Sequence, residues 1–231
     1  ESHQSRKKKT SKSKLRQSMI KKIVRSSTHR FIKDINVEKH KTLNQFLKEC
    51  RRVLQIYVDH IWNEGITYEV KAQVVNKNGK KGKKKKIDQR ICCPSMGYFD
   101  LPSFFDYNQI KVATTLSARA RSSLTSQAMA LISAATKKHA QRQYKIKEFK
   151  KDPLKNAENI IRLQRTISKK PPLKPIIDTT ENSTLAIELS SKCAVMANPR
   201  VKDGEFNYFL RLQSMGKFFD TIYIPIREHK H

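Results

Sequence analysis

Residues 41–65 read KTLNQFLKECRRVLQIYVDHIWNEG, and this stretch decides the helical part of the fold. Apolar residues recur in it at steps of three and four, which is the spacing of one face of an α-helix. Thr42 is the expected N-cap, and Gly65 stands where the helix is expected to end. We therefore predict one long amphipathic helix. Its apolar face consists of Leu43, Phe46, Leu47, Cys50, Val53, Leu54, Tyr57, Ile61 and Trp62.

Two more helices are predicted downstream. Residues 108–150 carry a narrow stripe of small and apolar side chains, which lets another helix approach closely. Residues 153–168 form a shorter helical pattern, and the proline-containing stretch 168–180 predicts an extended linker. The stripe in 108–150 consists of Ile110, Ala113, Leu116, Ala120, Leu124, Ala128 or Gln127, Leu131 and Ala135.

Strand patterns lie on both sides of this helical block. Short β-branched runs within 18–37 predict the first strands, and residues 181–231 alternate between apolar and polar positions. An Asp-Gly pair at 203–204 predicts a tight hairpin. Because strands and helices do not alternate, an antiparallel sheet or small barrel fits best. The predicted fold is α+β, an antiparallel β-barrel with the helical block 38–180 inserted between its strands.

Charge decides the class of partner. The chain has 49 Lys and Arg against 20 Asp and Glu, a net charge of +29. A compact protein with this surplus repels itself, and a polyanion relieves the repulsion. Residues 1–17 predict a disordered basic arm, and the lysine-dense stretch 76–86 predicts a solvated loop. Nucleic acid is the expected partner rather than a membrane, since no stretch approaches the roughly 20 apolar residues of a membrane span.

Signatures of catalysis and metal binding are missing from the sequence. The four cysteines are too scattered for a zinc pair or a disulfide framework, so reduced thiols are expected. No phosphate-binding loop, zinc-protease motif or nucleophile elbow occurs, and no carboxylate pair suits two-metal chemistry. We therefore predict no catalytic residue, metal site or cofactor within these residues. Without an apolar signal-peptide core, the cell interior is the default location.

Three quoted stretches together resemble a known family. They are LNQFLKECRRVLQIYVDHIWNEG (43–65), LPSFFDYNQIKVATTLSARARSSLTSQAMALISAATKKH (101–139) and FLRLQSMGKFFDTIYIPIREHKH (209–231). In this order they resemble the N-terminal half of the TnpB nucleases of transposons and of the compact type V CRISPR effectors. The closing stretch is the best match, because that family ends its wedge domain on a strand, a Gly-Lys turn and a similar basic run.

The resemblance implies two domains, a wedge barrel and a recognition lobe. The strands in 18–37 and 181–231 would form the wedge barrel, and residues 38–180 would form the recognition lobe. The implied partners are a guide RNA and the target DNA, in the interior of a prokaryotic cell near the nucleoid. The family's RuvC nuclease, with its Mg²⁺, would follow residue 231, so no catalytic residue carries over. Whether one copy or a homodimer holds a guide is left open.

Binding a nucleic-acid backbone calls for basic residues on several elements rather than one cluster. Exposed aromatic residues could also stack on bases, although burial of Tyr98, Phe99, Phe104, Phe105 and Tyr107 is the better interpretation. The predicted nucleic-acid contacts are Lys22, Arg25, Arg51, Arg52, Arg119, Arg121, Lys137, Lys138, Arg142, Arg211, Lys217, Arg227, His229 and Lys230.

Two other functions fit the same composition. One is a free-standing basic RNA- or DNA-binding structural protein, ribosome-associated or architectural. The other is a transposon DNA-binding protein that uses no guide. The RNA that the protein selects distinguishes them, because only the guide-dependent protein is expected to retain one structured transcript from its own locus.

Overall fold

The computed structural model describes residues 36–75, 81–180, 183–197, 206 and 208–226. They belong to one compact unit, Lys33–His231, and their mixture of helices and antiparallel strands confirms the predicted α+β class. The helices are α1 (Val37–Asn63), α2 (Ala118–Phe149) and α3 (Pro153–Lys169). The strands are β1 (Ile66–Val75), β2 (Lys81–Cys92), β3 (Ala194–Ala197), β4 (Tyr208–Leu212) and β5 (Ile222–Ile226).

Helix α1 forms the centre of the core and starts earlier than predicted. Its N-cap is Asn36, whose Oδ1 accepts a hydrogen bond from the backbone N–H of Lys39 at 2.9 Å. Thr42 is not the cap: it lies inside the helix, and its hydroxyl donates to the carbonyl of Glu38. Gly65 follows the helix with φ +83°, as the predicted end requires. The core face is fully buried at Phe46, Cys50, Val53, Leu54, Tyr57, Val58 and Ile61.

A two-stranded antiparallel ribbon follows α1. Strands β1 and β2 pair from Ile66 opposite Cys92 to Val75 opposite Lys81. The prediction of a loop over 76–86 is therefore wrong from residue 81 onward, where the lysines belong to β2. Repulsion between like charges favours an open loop, but here the lysines pair with uncharged residues of β1: Lys81 lies opposite Val75, Lys85 opposite Gln73 and Lys86 opposite Ala72.

Helix α2 packs along α1 and begins at a clear cap. Ser117 Oγ accepts a hydrogen bond from the N–H of Ala120 at 3.1 Å, so residues 110–116, predicted as helix, precede it as irregular chain. The predicted stripe is buried at Ala120, Leu124 and Ala128. Beyond Ala128 the buried positions lie one residue later than predicted. Leu131 and Ala135 are only half-buried, and the buried positions further along are Ile132, Thr136, His139 and Ile146.

Helix α3 spans Pro153–Lys169 and confirms the predicted third helix. The linker after it is bonded to α1 at two points. Lys174 Nζ lies 2.7 Å from a carboxylate oxygen of Asp59 on α1, and the N–H of Ile177 donates to Gln55 Oε1 at 2.6 Å. The linker therefore returns the chain to the surface of α1.

Residues 183–190 alternate as a strand would, yet they pair with side chains instead of with another strand. Leu185, Ile187 and Leu189 are half-buried and the residues between them are exposed. Arg51 donates to the carbonyl of Ser183 at 2.9 Å and to that of Leu185 at 3.2 Å. Gln127 on α2 donates to Ala186 and accepts from the N–H of Glu188. We call 183–190 the strap. It is not the barrel strand that was predicted, because its backbone groups form hydrogen bonds with side chains of α1 and α2.

The strap gives the first testable prediction. Arg51 is only 7% exposed, so Arg51→Met leaves two carbonyls without donors. We expect this change to lower the free energy of unfolding by about 3 kcal/mol, measured by urea denaturation. Arg52→Met is the control, since Arg52 is half-exposed and pairs with Glu49 at the surface; its expected cost is about 1 kcal/mol or less. Equal costs for the two variants would contradict the role assigned to Arg51.

The C-terminal strands form a three-stranded antiparallel sheet in the order β3-β4-β5. Ile222, Ile224 and Ile226 are buried, as their alternation predicts. Among the described residues the two sheets do not close a barrel. The segments Thr115–Ser117 and Met215–Lys217 join this sheet to the start of α2: Ser117 N–H donates to Met215 at 2.9 Å and Lys217 N–H donates to Thr115 at 2.9 Å. We call these two segments the junction.

Candidate nucleic-acid interface

The segment that contains helices α2 and α3 is strongly basic. Residues 111–170 contain fifteen Lys and Arg against three Asp and Glu. One of the three acids, Glu148, is already paired with Lys151 at 2.8 Å. Of the exposed basic side chains of α2 and α3, we call the following seven the basic helical surface: Lys137, Lys138, Lys145, Lys147, Lys155, Arg162 and Arg165.

Arg142 lies beside this surface and is half-buried. Its neighbour on the helix, His139, packs its ring on Phe99 with centroids 4.9 Å apart. Burial and the charge of Arg142 lower the pKa of His139 below its ordinary value. At neutral pH the histidine is therefore uncharged, and the positive charge at this place comes from arginine and lysine alone.

Arg119 and Lys192 meet at a groove of about 350 Å³. One wall is the first turns of α2, and the other is the turn that precedes β3. We call it the serine groove, because its other lining residues are Ala118, Ser122, Ser123, Ser126, Ser190 and Ser191. Arg119 also donates to Ser214 Oγ at 3.1 Å, and this bond places its guanidinium near the junction.

Arg121 stands at a second groove, of about 390 Å³, lined with Asn108, Ile110, Lys111, Val112 and Ala113. Its guanidinium lies over the ring of Tyr107, 4.4 Å from the centroid. Cation–π contact holds this arginine against the protein, and part of the group stays accessible from the groove.

Arg51 and Arg52 do not join these surfaces. Arg51 is buried on the carbonyls of the strap, so it is a structural residue. Arg52 makes two 2.7 Å hydrogen bonds to Glu49 and a third to the carbonyl of Ala113. The Arg52 guanidinium lowers the pKa of Glu49, which keeps the pair ionised.

The remaining predicted contacts divide into two groups. Lys217 is exposed at the junction, 5.5 Å from the ring centroid of Phe218, and Arg211 is half-buried on β4 opposite Tyr223. The others, Lys22, Arg25, Arg227, His229 and Lys230, lie outside the described residues.

The aromatic residues of 98–107 separate by burial. Phe105 packs edge-on against Tyr57 at 5.3 Å and belongs to the core. Phe99 and Tyr107 are engaged with His139 and Arg121. Tyr98 and Phe104 are 55% and 63% exposed, so these two are the ones that could stack on bases.

Cysteines 50, 92, 93 and 193 are free and buried. Burial raises the pKa of Cys92 to about 12, so its thiolate is not formed at neutral pH. Within the part of the chain that the structure describes, no group of three His, Cys, Asp or Glu could hold a metal ion. In the same part, no helix is long and apolar enough to cross a membrane.

Comparison with known proteins adds no relative. The chain matches no family model, no curated protein and no solved structure. The functional argument therefore rests on the residues themselves.

The sequence prediction missed the partners of Arg119. Lys192 and the serines of the groove come from segments more than sixty positions apart in the chain. The signal was a pair of serine-rich stretches, SSLTSQ at 122–127 and SSK at 190–192, each beside a basic residue. Only the fold shows that they face each other.

Proposed function

We propose that the chain binds nucleic acid through the basic helical surface and through the serine groove at the start of α2. The observation that carries the proposal is the excess of Lys and Arg over acids on two packed helices, with the lysines exposed. Neutralising phosphates releases condensed counterions, which gives strong and salt-dependent binding to a surface of this kind. Phosphate contacts of this type position a nucleic acid without reading its bases.

The finer proposal is the guide-RNA and target-DNA binding half of an RNA-guided effector of the TnpB or compact type V kind. In this proposal residues 38–180 form the recognition lobe, and β3, β4 and β5 belong to the wedge. The other predicted wedge strands, 18–37, lie outside the described residues except for Asn36 and Val37, which begin α1. Such effectors grip the RNA–DNA heteroduplex through its backbone and shape, and base pairing reads the sequence. A basic surface spread over several elements suits this task.

The test is recovery of the bound nucleic acid. The protein is purified from cells that carry its native locus, washed in high salt, and the retained RNA is sequenced. We expect one dominant structured transcript that maps beside the gene. A mixture of ribosomal fragments would instead indicate a structural RNA-binding protein, and retained duplex DNA without RNA would indicate a guide-free transposon protein.

A further inference from the structure

We propose that the serine groove binds one phosphate group, and that in the nucleic-acid complex this group is a backbone phosphodiester. The second half of the statement rests on the proposed function. The first half concerns the groove alone.

Two cations from different elements converge on the groove. Arg119 belongs to the first turn of α2, and Lys192 belongs to the turn before β3. Arg119 and Lys192 are both exposed, and no Asp or Glu lines the groove. Across the described ranges neither residue forms an ion pair, so an anion in the groove would meet their charge without a competing carboxylate.

Hydroxyl groups complete the lining. Ser122 and Ser126 are four positions apart on one helix, so they share a face with Arg119, three positions before Ser122. Ser191 comes from the opposite wall. All three are exposed, and each hydroxyl can donate a hydrogen bond to a phosphate oxygen. A fourth hydroxyl, on Ser123, is used internally: it donates to the carbonyl of Arg119 and accepts from the N–H of Ser190.

That internal pair fixes the width of the groove. Because Ser123 ties the turn at Ser190 to α2 by a 3.2 Å hydrogen bond, the two cationic walls are held at a set separation before any ligand arrives. A groove of about 350 Å³ lies near the small end of ligand sites, which run from about 300 to 1,000 Å³. This space is large enough for a phosphate group together with its attached sugar.

The experiment uses the full chain labelled with ¹⁵N and titrated with inorganic phosphate at constant ionic strength. We expect saturable shifts in the amides of 118–126 and 190–192. Lys192→Gln and the double change Ser122→Ala with Ser126→Ala should each weaken this binding at least tenfold. Lys41→Gln on α1 and Ser133→Ala on α2 are the matched controls, because both residues are exposed and lie outside the groove. Shifts that do not saturate, or that spread over all lysine-bearing segments, would overturn the site.

The second arm uses a fluorescent single-stranded RNA and measures affinity against salt. We expect Lys192→Gln to reduce the slope of log K against log salt by about one, the loss of one phosphate contact. RNA binding with an unchanged slope would overturn the groove as a contact for the RNA backbone and leave the proposed function standing. Phosphate binding in the groove without RNA binding would overturn the proposed function and leave the groove standing. It would assign the groove to a free phosphate ester such as a mononucleotide.

Discussion

Gly216→Ala is expected to lower the free energy of unfolding by about 3 kcal/mol. A Cβ at this position would lie 2.2 Å from the carbonyl oxygen of Thr115 and 3.0 Å from a ring carbon of Phe219. Neither neighbour is free to move: Thr115 accepts the backbone hydrogen bond of Lys217, and Phe219 packs edge-on against Phe46 at 5.4 Å. The substitution therefore has to open the junction between α2 and the C-terminal sheet.

Urea denaturation measures this loss as a lower midpoint at constant slope, and for a chain of this size the melting temperature should fall by roughly 6–12 °C. Gly97→Ala is the control. Gly97 has φ +84° but nothing within 4 Å of the added carbon, so it reports the backbone cost alone, about 1–2 kcal/mol. If Gly216→Ala lowered the free energy of unfolding no more than Gly97→Ala, close packing at the junction would not contribute to the stability of the protein.

The second large effect concerns binding. Reversing two charges on the basic helical surface, with Lys137→Glu and Lys138→Glu together, is expected to weaken RNA binding about 10- to 100-fold at moderate salt. Both lysines are exposed, so folding should be unaffected. Each lost phosphate contact also removes about one unit from the salt slope, so the slope should fall by about two. Fluorescence anisotropy across a salt series measures both quantities.

The matched control reverses two charges elsewhere, with Lys39→Glu and Lys41→Glu in the first turns of α1. This protein has the same net charge as the first variant. Equal loss of affinity in the two proteins would mean that overall charge attracts RNA, without a defined surface. Loss confined to the α2 variant would place the contact on the basic helical surface.

The spacing of apolar residues correctly predicted the elements in which that spacing marks the buried face. The three- and four-residue spacing from Phe46 to Trp62 predicted α1, and the alternating isoleucines of 222–226 predicted β5. Patterns of this kind fail where the partner is distant. The lysines of β2 predict an open loop until β1 is available to pair with them. The strap alternates like a sheet strand, but its hydrogen-bond partners are Arg51 and Gln127, which no periodicity connects to it.

In the candidate interface, too, some placements were predictable from the sequence and others depended on the tertiary fold. Exposure of Lys137 and Lys138 was predictable, because both lie off the apolar stripe of α2. Arg51 was not distinguishable from Arg52 by sequence: adjacent positions on a helix differ by 100° in direction, and which of them meets the strap depends on the tertiary fold. Lys192 was missed because a single lysine in a turn carries no local signal.

The strap also sets an order for events during synthesis. Arg51 and Leu185 are separated by 134 positions, so the guanidinium emerges from the ribosome well before its acceptors exist. At about 5–20 residues per second the delay is roughly 7–27 s. During that time Arg51 has no strap carbonyl to donate to, and all residues of α1 and α2 are synthesised before residues 183–190. The strap can therefore dock only after α1 and α2 have been synthesised, and β3, β4 and β5 follow it.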